Sequence, residues 1–203
     1  MLRYLIDPAN AITTSGIIFS GLALRELLVG QPELAVAISL WSMLADQLDG
    51  VIAGRTKNRS PEAAKIGKSL DGFSDLIYGS VIPAAVVMSL GGGELTSIIV
   101  GIVLLVAGAL RLSYFSNFGL TTGYFTGVPL SYDGPLLATL LILRPWIPDG
   151  IFVPIVTASF LLLGCLHVSP LRVPAPGGAM YLVIVAFGTT ASAFLAGRVL
   201  IWT

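Results

Sequence analysis

Asp46 and Asp49 close one apolar stretch of the chain, in LADQLDGVIAGR, and Asp71 and Asp75 follow within GKSLDGFSDL. Spacings of three and four residues put each pair on one face of a helix. The connecting TKNRSPEAAKI is a polar hairpin that returns the chain beside itself, so four carboxylates converge at one depth. In an apolar setting a carboxylate is costly, and like charges raise the cost further. A divalent cation relieves both. Carboxylate oxygens are hard ligands and suit Mg²⁺ or Mn²⁺, most simply two ions. His167 is the only imidazole and Cys165 the only thiol, which argues against zinc.

Small residues share these faces. Gly50 lies four positions after Asp46, Ala53 four after Asp49, and Gly67 four before Asp71. Carboxylates beside a floor with little side-chain bulk suit a flat, polyphosphate-bearing ligand held through metal ions.

The rest of the chain must position this constellation. It has 203 residues, 55% hydrophobic and 11% charged, with a mean hydropathy of +0.91. Soluble domains carry about 25% charge. The composition is that of a single polytopic, all-α membrane domain, and the net charge of zero names no nucleic-acid partner. Crossing a bilayer takes about 20 apolar residues as a helix. Seven stretches qualify, within a range of six to eight: residues 11–29, 33–53, 67–90, 95–118, 128–146, 151–167 and 178–201. Turn residues at Gly30–Pro32, Gly91–Gly93, Pro148–Gly150 and Pro174–Gly177 separate several of them. Residues 1–7 read as a short amphipathic helix on the membrane surface.

With the N-terminus inside, Arg3, Arg55, Lys57, Arg59, Lys65, Lys68, Arg111 and Arg172 fall on one side and Arg25, Arg144 and Arg198 on the other. This asymmetry places the aspartates at the cytoplasmic face and the C-terminus outside.

In these residues the chain resembles the CDP-alcohol phosphotransferase family, whose signature is D-x2-D-G-x2-A-R followed by G-x3-D-x3-D. Asp46, Asp49, Gly50 and Ala53 fit its first half; Gly67, Asp71 and Asp75 fit its second. Two departures stand out. Gly54 separates Ala53 from Arg55, and the gap to Gly67 is longer than usual. Beyond the signature, GKSLDGFSDLIYGSVIPA, GALRLSYFSNF, YFTGVP and LHVSPLRVP are similar to stretches of the phosphatidylserine synthases in that family.

The resemblance implies transfer of a phosphatidyl group from CDP-diacylglycerol to an alcohol, with L-serine the leading acceptor, with release of CMP, in a prokaryotic cytoplasmic membrane and in a homodimer. An inositol phosphate, glycerol phosphate or choline acceptor, or an archaeal ether-lipid donor, remains open. Asp46, Asp49, Asp71 and Asp75 would hold metal, Asp75 also serving as general base. Gly50, Ala53, Gly67 and Arg55 would receive the nucleotide. Arg111, Lys68, Ser113 and Tyr114 would receive the acceptor or a phosphate; Arg111 leads because an arginine within an apolar helix needs a partner.

Other polar residues have plainer readings. Lys57 and Arg59 satisfy the positive-inside bias, Asp7 and Asn10 cap a helix, Asp133 complements a helix dipole, and His167 is structural. Trp41, Trp146 and Trp202 read as packing or interface anchors, and Gly91–Gly93 as a turn. Two other functions use similar residues. An intramembrane prenyltransferase has its two Asp motifs farther apart than Asp46 and Asp75. A cation transporter would hold its carboxylates at the bilayer midplane.

Overall fold

The computed structural model describes residues 1–203 except Asn58, Thr121, Thr203 and the side chain of Trp202. The helical segments are α1 (Pro8–Leu28), α2 (Pro32–Arg55), α3 (Pro61–Leu76), α4 (Ile82–Leu90), α5 (Leu95–Phe118), α6 (Asp133–Leu143), α7 (Asp149–His167) and α8 (Gly178–Trp202). A π-type turn at Ile77–Val81 joins α3 to α4, and together they form one 30-residue span, Pro61–Leu90. Pro83 explains the turn: it has no N–H to give the Gly79 carbonyl, and the Ile82 N–H instead reaches Ile77 O, five residues back.

Six helices are long and apolar enough to cross a membrane, and the exposed large side chains suit hydrocarbon. Along α5, Leu95, Ile99, Ile102, Val106 and Leu110 form an outward apolar stripe. The chain is therefore an all-α polytopic membrane bundle.

The fifth expected span, residues 128–146, is shorter than the sequence suggests. Of residues 128–146 only the 11 of α6 are α-helical, flanked by 3₁₀ turns at Leu130–Tyr132 and Arg144–Trp146. At 1.5 Å per residue such a helix covers about half of the hydrocarbon core. Pro145 limits its C-terminal end, because proline has no N–H to give the Leu141 carbonyl and its ring crowds the preceding turn. α6 is nonetheless buried through Gly134, Leu137, Ala138, Leu140 and Leu141, and runs antiparallel to α7.

The hairpin between the Asp pairs is also remodelled. Helix α3 begins at Pro61 rather than near Gly67, because Ser60 is an N-cap whose side chain accepts from Ala63 N–H at 3.1 Å, with proline following at the first helical position. At the N-terminus, residues 2–6 form a 3₁₀ helix, and Asp7 caps α1 through Asn10 N–H at 3.1 Å.

Helix α8 packs on α2 and α6. Trp41 Nε1 donates to Ser192 Oγ at 3.0 Å, Ser192 Oγ donates to Ala37 O at 2.8 Å, and Gly188 lies against Leu44. Arg198 pairs with Glu33 at 3.0 Å and donates to Leu141 O. The C-terminal end of α8 thus meets the N-terminal end of α2, the end opposite the aspartates.

At the aspartate end, the segment after α5 is stitched to the end of α7. Strand β1 (Tyr124–Thr126) pairs antiparallel with β2 (Arg172–Pro174), Gly127 N–H donates to Leu171 O, and Val128 N–H donates to Leu166 O. Gly127 has φ +75°, and a Cβ there would sit 2.0 Å from the His167 carbonyl oxygen. Gly127→Ala is expected to destabilise the fold by roughly 2 kcal/mol or more, lowering the thermal midpoint in detergent by several degrees; an unchanged melt would refute the close approach.

Candidate active site

Asp46, Asp49 and Asp71 each offer a carboxylate oxygen, all within 4.8 Å of one another. Asp46 and Asp49 project from the last turns of α2, and Asp71 and Asp75 from α3. Residue Asp75 joins the group through Tyr78, whose hydroxyl lies 2.9 Å from Asp46 Oδ2 and 2.8 Å from Asp75 Oδ1. A phenol has one proton, so it serves one carboxylate at a time. Thr13 of α1 donates its hydroxyl to Asp49 Oδ2. Asp46 Oδ1 is buried with no hydrogen-bond partner.

A buried, unpartnered carboxylate oxygen beside two further carboxylates is a donor set for a hard divalent cation. Asp46, Asp49 and Asp71 could hold such an ion, with Asp75 at its edge.

Beside the carboxylates lies a cavity of about 200 Å³, bordered by Thr13, Asp49, Gly50, Ala53, Gly67 and Lys68. The expected small-residue floor is present. Gly50 has open space where a side chain would stand, whereas Gly67 is packed: a Cβ there would fall 2.3 Å from Asn10 Oδ1 and 2.5 Å from Arg59 Nη2.

Arg55 does not reach this cavity. It sits exposed in the last turn of α2, beyond the extra residue Gly54. The arginine at the cavity is Arg59, whose Nε donates to Asp7 and whose Nη2 donates to Asn10 Oδ1 at 2.6 Å. Reading Arg59 only as a positive-inside charge was incomplete: it ties the connection to the start of α1. Asn10 is likewise more than a cap. It is fully buried and donates from Nδ2 to Tyr4 O and Ala63 O, joining α1 to α3.

A second cavity, of about 430 Å³, lies between α5 and the end of α7 and is bordered by Arg111, Tyr114, Thr126 and His167. Arg111 is 6% exposed, its Nε has no hydrogen-bond partner, and its guanidinium stacks over Phe115 and Phe125. Asp75, Tyr78 and Asp133 are the charged or titratable groups within its electrostatic reach. Arg111 and Tyr114 therefore border one cavity. Ser113 is exposed and borders neither cavity, because it lies two residues round the helix from Arg111. Lys68 borders the first cavity and donates to Ser116 O at 3.2 Å.

The structure also joins two residues that the sequence keeps 34 positions apart. Asp133 Oδ2 and His167 Nε2 lie 2.9 Å apart, with both side chains fully buried. The readings of Asp133 as a dipole partner and His167 as structural were each made in isolation. The available signal was that an ionisable residue in an apolar segment needs a partner, and each was the other's.

The CDP-alcohol phosphatidyltransferase family model matches residues 7–163, most of the chain and all of the carboxylate cluster. The chain belongs to the CDP-alcohol phosphatidyltransferase family. It is an enzyme that transfers phosphate-containing groups within an integral membrane bundle. The match is to the family as a whole and reaches no subfamily; α8 lies beyond the matched residues. No curated protein matches the chain.

Mn²⁺ is expected to raise the thermal midpoint of the purified protein and a chelator to lower it. Asp46→Ala, Asp49→Ala and Asp71→Ala should each weaken Mn²⁺ binding, followed by electron paramagnetic resonance, tenfold or more. Unchanged binding in all three would remove the metal assignment.

Proposed function

We propose that this enzyme transfers the phosphatidyl group of CDP-diacylglycerol to L-serine, at a site facing the cytoplasm. The observation that carries the choice of acceptor is Arg111: a buried guanidinium with an unpartnered Nε, on the wall of a cavity and within electrostatic reach of Asp75. It is the one lysine or arginine bordering that cavity among the described residues. One guanidinium suits one carboxylate, and a polyol phosphate dianion is usually met by several cations.

Asp46, Asp49 and Asp71, with Asp75, would hold Mg²⁺ or Mn²⁺, most simply two ions, which when bound neutralise the diphosphate and the departing CMP. Gly50, Ala53 and Gly67 form the surface for the nucleotide, with Arg59 in the place expected of Arg55. The apolar cavity of about 260 Å³ between α2 and α8, lined by Met43, Gln47, Tyr132, Met180 and Phe187, offers a surface for the part of the lipid nearest the diphosphate. Gln47 Nε2 donates to Asp46 Oδ2 at 3.4 Å, which links this wall to the carboxylates.

In the reaction the serine hydroxyl oxygen attacks the phosphorus that bears the diacylglycerol. A new O–P bond forms, the O–P bond to CMP breaks, and the hydroxyl proton passes to Asp75. Tyr78 supports that role by bonding the Asp75 carboxylate and fixing its direction. The cytoplasmic placement rests on Lys57, Arg59, Lys65 and Lys68 gathering at the same end as the aspartates.

The test is CMP release from CDP-diacylglycerol with Mg²⁺ or Mn²⁺ across serine, glycerol phosphate, inositol phosphate and choline. Serine-dependent release is expected; release with another acceptor alone would overturn the acceptor assignment and leave the family chemistry intact. Asp75→Asn should retain CMP binding and lose turnover by about 10²-fold or more; full turnover in that variant would refute its role as base.

A further inference from the structure

Asp133 and His167 contribute nothing to the reaction as described, yet they form the most deeply buried ion pair among the described residues. His167 Nδ1 lies 2.8 Å from Val128 O. A carbonyl only accepts, so Nδ1 carries a hydrogen. The other ring nitrogen faces the Asp133 carboxylate at 2.9 Å, and that contact holds one proton. Both ring nitrogens are thereby committed, and neither is free for a ligand. The ring itself forms part of the wall shared with Arg111, Tyr114 and Thr126.

The pair therefore braces that wall from behind. Asp133 anchors it to α6, His167 is the last residue of α7, and Val128 belongs to the segment that carries Thr126 and Phe125. Phe125 lies under the Arg111 guanidinium, at 5.5 Å from ring centre to Cζ. Asp133 also lies within electrostatic reach of Arg111, and its Oδ1 has no hydrogen-bond partner. A buried carboxylate and a buried histidine would be poor choices for packing alone, since an apolar pair of similar size fills the space without the cost of desolvation. A hydrogen-bonded pair fixes direction where an apolar pair does not.

We infer that the Asp133–His167 pair is a positioning element for the acceptor: it holds the Phe125–Val128 segment and Arg111 in the geometry that receives the acceptor's anionic group. This rests on the acceptor reading of Arg111. Neither residue of the pair borders the nucleotide cavity, so its effect is expected on the acceptor side.

The experiment is steady-state CMP release by the full-length protein, with KM measured separately for the acceptor that supports turnover and for CDP-diacylglycerol. Asp133→Ala is expected to raise the acceptor KM tenfold or more and leave the CDP-diacylglycerol KM within twofold. Asp133→Asn, whose amide can still bond His167 Nε2, should bring the acceptor KM back to within threefold of the parent. His167→Gln tests the same brace from the other side and should behave like Asp133→Ala, and it serves if Asp133→Ala does not fold. Equal rises in both KM values, an unchanged acceptor KM, or no rescue by Asp133→Asn would overturn the inference. Arg111→Gln separates the two levels. If it raises the acceptor KM and the pair variants do not, only the positioning role fails. If Arg111→Gln leaves the acceptor KM unchanged, or no acceptor carrying a carboxylate or phosphate is used, the acceptor-site reading fails with it.

Discussion

Asp46, Asp49 and Asp71 bring carboxylate oxygens within 4.8 Å of one another inside a bundle of apolar helices. Two unit charges about 4 Å apart repel by roughly 4 kcal/mol at an effective dielectric constant near 20. Such a cluster persists only if the backbone elements that carry it are held together by something else, and a bound cation would relieve the repulsion that remains. The helix pairing that brings α2 and α3 side by side, and the polar ties around it, supply the first; the open carboxylate oxygens could receive the second.

Those ties are specific. Asn10, fully buried, bonds the backbone of Tyr4 and Ala63 and receives Arg59, so the first turn of α1, the connection after α2 and the start of α3 form one knot. Gly67 is part of it, because no side chain fits between Asn10 and Arg59. On the other flank the π-type turn after Leu76 sets Tyr78 against Asp46 and Asp75, and its cause lies at Pro83, eight residues past Asp75. A proline placed for its missing N–H thus shapes the bonding of a carboxylate more than two turns away. One cavity borders Asp49 and Asp71 and has a floor of small residues; the other is bordered by the buried Arg111.

Much of the fold is legible from hydropathy, because a bilayer allows few backbone solutions and helices of sufficient length announce themselves by composition. The start of α1 at Pro8 is legible as well, since proline at the first helical position after a capping Asp is a local signal. Ser60–Pro61 carries the same signal, but the polar first turns of α3 hide it from hydropathy, which begins the span near Gly67. The length of α6 differs for the opposite reason: residues 128–146 are largely apolar, but Pro145 limits the helix whatever the hydropathy. The carboxylate spacing was readable because helical periodicity is local. The displacement of Arg55 followed from Gly54, one inserted residue turning the next side chain by about 100° around the helix.

The sequence by itself determined the membrane class, the four aspartates and the small residues beside them, because each depends on composition or on spacing within one helix. Tertiary structure alone decided which arginine stands at the cavity beside the carboxylates, that Asn10 and Thr13 of α1 bond to its walls, and that Asp133 meets His167. Those partners are separated by 34 to 53 positions, and no local rule reaches so far. Hydrogen bonds and ion pairs act over about 3 Å, so only the packing of one helix on another could select them.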